Sequence, residues 1–152
     1  MIRRCRAGAA ALAVALASAC GASPAPAPAS RAAAAPPAPT VQKILQLNAP
    51  GAPVDLAAAL PAGYVTVVDF WSESCEACKP LGALLELGVA SEPRVVIRKM
   101  DVGDGFTPVA EAYQISALPR FFVYDQHRRL RYDLVGPDCR DAATYARQLA
   151  AE

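Results

Sequence analysis

The sequence has no excess of either charge. Fifteen Lys and Arg stand against 14 Asp and Glu, a formal net charge of +1 over 152 residues. Nucleic-acid binders carry a clustered basic face, and this balance argues against one. Long apolar runs are missing too. The uncharged stretch from Ala7 to Ala19 covers 13 residues before Cys20, short of the roughly 18–20 that a spanning helix needs. There is one histidine, His127, in a polar stretch far along the chain. Structural zinc takes four ligands, and one histidine with so few cysteines leaves such a site short. No segment repeats. The length excludes a large multidomain enzyme and suits one domain of roughly 100–200 residues.

What is present in excess is alanine. Hydrophobic types reach 54%, above the roughly 45–50% of ordinary globular chains. Of 34 alanines, 17 fall in the first 40 positions. From Val41 to Glu152, Leu, Ile, Val and Phe number 31 of 112 residues, enough for a core. The greasy average is therefore a sum of two unlike parts.

Arg3, Arg4 and Arg6 precede the apolar stretch, and small residues precede Cys20. A basic start, a short apolar region and small residues before a cut describe a secretory signal peptide, here residues 1–19. Leu16-Ala17-Ser18-Ala19-Cys20 resembles the lipobox of bacterial lipoproteins, which implies cleavage before Cys20 and lipid on its thiol. Ala17-Ser18-Ala19 is also an ordinary A-x-A cleavage site, so both routes stand. Gly21 rather than Asp after the cysteine implies, by analogy with Gram-negative lipoproteins, the outer membrane rather than the inner. Residues 20–40 then form an anchor and linker. From Gly21 to Thr40, 15 of 20 residues are Ala or Pro, a composition that favours extended polyproline geometry and a reach of up to roughly 60 Å. Removing residues 1–19 leaves 12 basic and 14 acidic residues, net −2. The positive sign of the whole chain belongs to the leader and identifies no partner.

Residues 41–152 alternate. Val41 to Leu47 is predicted as a strand, and Asp55 caps a short helix through Leu60. Tyr64 to Phe70 is a β-branched strand, apolar on both faces except at Asp69. A helix is expected from Ser74 or Cys75 to about Gly88, with Ser74 as N-cap. Arg94 to Val102 is a strand and Thr107 to Tyr113 a short helix. Phe121 to Tyr124 and Leu130 to Val135 make a hairpin, and Asp138 to Ala150 is the last helix. The order β-α-β-α-β-α-β-β-α predicts an α/β domain with a mixed central sheet, parallel in the middle, and helices on both faces.

Cys75 and Cys78 lie between a buried strand and a helix. In an exported chain such a pair is a redox couple, a structural disulfide or half a metal site. A helix N-terminus stabilises a thiolate, and thiolate is the species that attacks disulfides. Cys75, nearest that end, is expected to be the more exposed.

The segment Val67-Val68-Asp69-Phe70-Trp71-Ser72-Glu73-Ser74-Cys75-Glu76-Ala77-Cys78-Lys79 resembles the active-site segment of thioredoxins. Ser116-Ala117-Leu118-Pro119-Arg120-Phe121-Phe122-Val123-Tyr124 resembles the family's cis-proline loop and following strand, and Gly136 also fits. The resemblance implies the thioredoxin fold over 41–152. It implies Cys75 as nucleophile, Cys78 as resolving thiol and Asp69 as the buried carboxylate that deprotonates Cys78. It also implies Pro119 in cis facing the disulfide and Leu118 pairing its backbone with a substrate peptide. Lys99 is expected near Asp69. Trp71 is a candidate for substrate contact or for packing. Such exchange needs no cofactor and no metal.

Two departures stand out. Ser74 replaces the family's Trp. Glu76-Ala77 replaces Gly-Pro, and a carboxylate beside Cys75 disfavours its thiolate. Glu76 therefore predicts a reductant or isomerase-type partner rather than a strong oxidant, and a Glu in this slot resembles tethered thioredoxin-like reductants of cytochrome c maturation. Two functions follow. One is a periplasmic, lipid-anchored thiol–disulfide oxidoreductase acting on protein dithiols and disulfides and recharged by a membrane thiol-electron donor. The other is a peptide-binding or assembly module on the same fold with little turnover. Cys139 is open between a semi-buried free thiol, a third redox cysteine and an intermolecular link.

Overall fold

The computed structural model describes residues 40–152. The signal at 1–19, Cys20 and nearly all of the linker lie outside the described residues.

Ile44–Gln46 form a short, exposed edge strand, β1. Asp55 caps the single turn α1 (Leu56–Ala59) by accepting from the Ala58 N–H at 3.3 Å. β2 (Val65–Trp71) is buried along its length except at Trp71. Then come α2 (Cys78–Gly88), β3 (Val95–Asp101) and α3 (Pro108–Ala112). Thr107 caps α3, taking the Ala110 N–H, and proline at its start loses no intrahelical bond. β4 (Arg120–Tyr124) and β5 (Leu130–Val135) close the hairpin. A 3-10 turn (Gly136–Asp141) leads into α4 (Ala142–Ala151).

The strands lie in the order β1-β3-β2-β4-β5. β1, β3 and β2 are parallel, while β4 pairs antiparallel with β2 and β5 antiparallel with β4. This is the thioredoxin fold, with one correction. The parallel portion runs out to the β1 edge instead of sitting between antiparallel flanks, because the hairpin occupies only one side of β2. The last helix also starts later than expected. Gly136 turns the chain at φ +58, and the tight 3-10 winding of Pro137–Asp141 points Cys139 inward before α4 begins.

Alternation along β2 feeds two cores. Val65 and Val67 pack with Leu85 of α2 and with Ala146 and Leu149 of α4. Val68 and Phe70 face the other way, toward Leu56, Val109 and Phe122. Phe70 is fully buried, with its ring 4.9 Å from that of Phe122, a burial worth on the order of 2–3 kcal/mol. Arg98 in β3 is buried without a carboxylate partner among the described residues. Its guanidinium donates to the carbonyls of Gln42, Ala59 and Ile97, tying the lead-in to β1 and the end of α1 to the sheet. No described helix is long and apolar enough to cross a membrane.

Candidate active site

β2 delivers the chain to a turn at Ser72–Ala77, where Cys75 and Cys78 are joined by a disulfide of 2.07 Å. The Cys75 N–H donates to the Ser72 carbonyl at 3.1 Å, and the Cys78 N–H donates to the Cys75 carbonyl at 3.1 Å. Cys75 is half-buried, whereas Cys78 is 3% exposed. A nucleophile from outside reaches the first sulfur far more easily than the second. The Cys78 N–H also lies 3.2 Å from Cys75 Sγ, a donor placed to stabilise a thiolate there.

The helix begins at Cys78, not at Ser74 or Cys75, and no side chain caps it. Ser74 cannot serve as cap because its hydroxyl is engaged elsewhere. It donates to Asp104 Oδ1 and lies 3.2 Å from Ser72 Oγ. The carboxylate that draws it away comes from the loop after β3, 30 positions along the chain.

Asp69 is 2% exposed. It lies in register with Lys99 of β3 and Phe121 of β4. Lys99 Nζ approaches Asp69 Oδ2 at 3.6 Å and Glu86 Oε1 at 3.1 Å. Asp69 Oδ1 has no hydrogen-bond partner among the described residues. Burial pushes the carboxyl from 3.8 up to about 6, Lys99 opposes the rise, and Glu86 adds to it. A side chain at Gly82 would place its Cβ 3.3 Å from Asp69 Oδ2. Gly82 follows Cys78 by one helical turn on the same face, so the carboxylate sits beneath the start of α2.

Leu118–Pro119 is a cis bond, and Pro119 is buried while Leu118 is partly open. Leu118, Ser74 and Cys75 line one groove of about 320 Å³, together with Gly103, Asp104 and Ile115. Trp71 does not line it. Its indole N–H donates to Gln46 Oε1 at 3.3 Å, and Lys99 Nζ stands 5.6 Å from the ring centroid. Trp71 therefore packs toward β1 and β3. Glu76 is exposed and paired with Lys79 at 2.8 Å, which offsets part of its charge beside Cys75. Sequence reasoning passed over two groups here. Glu86 shares Lys99 with Asp69, and Asp104 walls the groove. Cys139, which the sequence left open, backs the proline loop. The Cys139 thiol, 1% exposed, donates to the carbonyls of Pro119 at 3.5 Å and Leu134 at 3.4 Å. Burial pushes it up to about 12. It is a buried free thiol among the described residues. His127 is exposed in the hairpin turn, away from these groups.

An accessible sulfur bonded to a shielded one, over a buried carboxylate and beside a cis-proline, defines a dithiol–disulfide site on an α/β sheet. Residues 58–148 match the family model for Thioredoxin, and the chain belongs to the thioredoxin family. Thioredoxin of Chlamydia trachomatis serovar D is 35% identical over 63 residues, covering 41% of this chain and 61% of that protein. A putative thioredoxin 2 of Streptomyces coelicolor is 32% identical over 57 residues, covering 38% of this chain and 42% of that one. The chain thus spans about three fifths or less of the curated relatives it matches. Among solved structures, Schistosoma mansoni thioredoxin is similar at TM-score 0.55 and 26% identity, over 70% of this chain and 94% of that one. The reduced pre-protein from the same organism gives TM-score 0.57 at 24% identity, over 71% of this chain and 99% of the other.

Proposed function

We propose that this protein is a thiol–disulfide oxidoreductase, acting as a reductant of extracytoplasmic protein disulfides from a lipid anchor at Cys20. The observation that carries the chemistry is the unequal exposure of the paired sulfurs. In the reduced protein, Cys75 thiolate attacks one sulfur of a substrate disulfide. The substrate S–S bond breaks, its second sulfur leaves as thiolate, and a mixed disulfide with Cys75 forms. Cys78 passes its proton toward Asp69, whose carboxyl near 6 can accept and return one at neutral pH. Cys78 thiolate then attacks Cys75 Sγ, releasing the second substrate thiolate and restoring the Cys75–Cys78 disulfide. Two electrons and two protons pass to the substrate, and an external dithiol must resupply them. In an oxidising compartment that supply is a membrane thiol-electron donor. Glu76 beside Cys75 supports the reducing direction, with Lys79 weakening its effect.

Insulin reduction with dithiothreitol tests the activity. Wild type accelerates precipitation and Cys75→Ser does not; equal rates would leave only the peptide-binding module. Equilibration with glutathione tests direction. A potential near −250 mV or lower is expected, and one near −120 mV, at the strongly oxidising end, would sink the reductant assignment. Detergent-phase partitioning of wild type but not Cys20→Ala tests the anchor.

A further inference from the structure

We propose that the loop after β3 selects the substrate of this site. It favours an extended polypeptide segment in which a Lys or Arg and a large apolar residue flank the target cysteine. The inference rests on the oxidoreductase function proposed above.

Asp104 is the one charged residue lining the groove beside Cys75. Ser74 holds its Oδ1, which fixes the carboxylate on the groove wall and leaves the second oxygen for a ligand. The nearby cations are already engaged. Lys79 is paired with Glu76, Lys99 with Glu86 and Asp69, and Arg120 with both oxygens of Asp133. Glu73, next to Ser74, has no ion pair among the described residues and is exposed. A peptide lying across Cys75 therefore meets net negative charge.

Phe106 is the second observation. It is fully exposed, where most large apolar side chains among the described residues are covered. Gly103 and Gly105, both at positive φ, flank Asp104 and bend the loop outward. Phe106 stands at the rim of a larger cavity that shares Ala110, Ile115 and Ser116 with the groove. The two form one continuous surface, acidic at the sulfur and aromatic farther out. Rigid aromatics beside polar contacts are typical anchors of protein recognition. An extended chain advances about 3.3 Å per residue, so a basic side chain one to three residues from the target cysteine can reach Asp104.

The test uses the reduced full chain and short peptides whose single cysteine carries a thionitrobenzoate group. Attack by Cys75 on the peptide sulfur releases the coloured thiolate, and Cys75→Ser gives the background. One set of peptides differs only in Lys, Ser or Glu two residues from the cysteine, and a second set only in Leu or Ala flanking it. In about 20 mM salt the Lys peptide should react about three- to ten-fold faster than the Glu peptide. The ratio should fall toward one in 0.5 M salt and in Asp104→Asn, which keeps a partner for Ser74. In Phe106→Ala the advantage of Leu-flanked over Ala-flanked peptides should disappear. Equal Lys and Glu rates in wild type, or a ratio untouched by Asp104→Asn, overturn the inference while oxidoreductase activity stands. Failure to exchange any peptide, the Ser one included, overturns both.

Discussion

Replacing Asp69 with asparagine should favour the oxidised folded protein more at neutral pH than in acid. The wild-type carboxyl rises from 3.8 to about 6 on folding, chiefly through burial. Below 3.8 it is protonated in both states and costs nothing. Between 3.8 and about 6 the unfolded chain ionises while the folded one holds its proton, so stability falls as pH rises. Above about 6 both are ionised and the cost is constant. At about 1.4 kcal/mol per pH unit, these values give almost no cost at pH 3.5 and about 3 kcal/mol at pH 8, with roughly half of it already present at pH 5. Asparagine does not titrate. Whatever fixed cost its amide adds in that pocket is the same at every pH and cancels between them. Guanidinium titrations of wild type and Asp69→Asn, both oxidised, should show their difference growing by about 3 kcal/mol from pH 3.5 to pH 8. A difference constant within about 1 kcal/mol would refute a buried, proton-holding Asp69.

The shared lysine supplies a paired prediction. Lys99→Met removes the cation opposing the rise at Asp69 and should move the pH midpoint of mixed-disulfide resolution upward. Glu86→Gln frees Lys99 for Asp69 and should move it downward; two shifts of the same sign would contradict this arrangement. Gly88→Ala sets a new Cβ 2.6 Å from that of Ala143. Crowding between α2 and α4 should destabilise by about 1–3 kcal/mol, outweighing the ~1 kcal/mol gain in helix propensity, as thermal melts can check. Cys139 is buried with its thiol pushed up to about 12. Native oxidised wild type and Cys139→Ser should therefore show the same number of thiols reacting rapidly with Ellman's reagent, and wild type one more in guanidinium.

Local signals carried most of the fold. Asp55 read as a helix cap and is one, and the β-branched run after Tyr64 is the central strand. Asp69 stood out as a lone charge in that run, and the apolar residues flanking it argued against a strand-end residue pointing at solvent. Its nearness to Lys99 needed the family resemblance, because strand register is not a local property. The misses share one cause. Ser74 has the chemistry of an N-cap, yet a carboxylate 30 residues on competes for its hydroxyl. Glu86 and Asp104 are ordinary surface acids by sequence, and only the tertiary structure sets one beside Lys99 and the other in the groove. Cys139 stood open between a semi-buried free thiol, a third redox cysteine and an intermolecular link, and the 3-10 turn decides for the buried thiol by carrying the sulfur into the core.

The carbonyl of Pro119 receives two donors from behind, the Gly136 N–H at 2.8 Å and the Cys139 thiol at 3.5 Å. The cis-proline loop is thus braced by a stretch of chain that does not line the groove. A map of tolerated substitutions would carry a second sensitive patch at 136–139, separate from the cysteine pair. For anyone redesigning the site, that patch is a remote adjustment: it can shift the proline loop while every residue around the groove stays as it is.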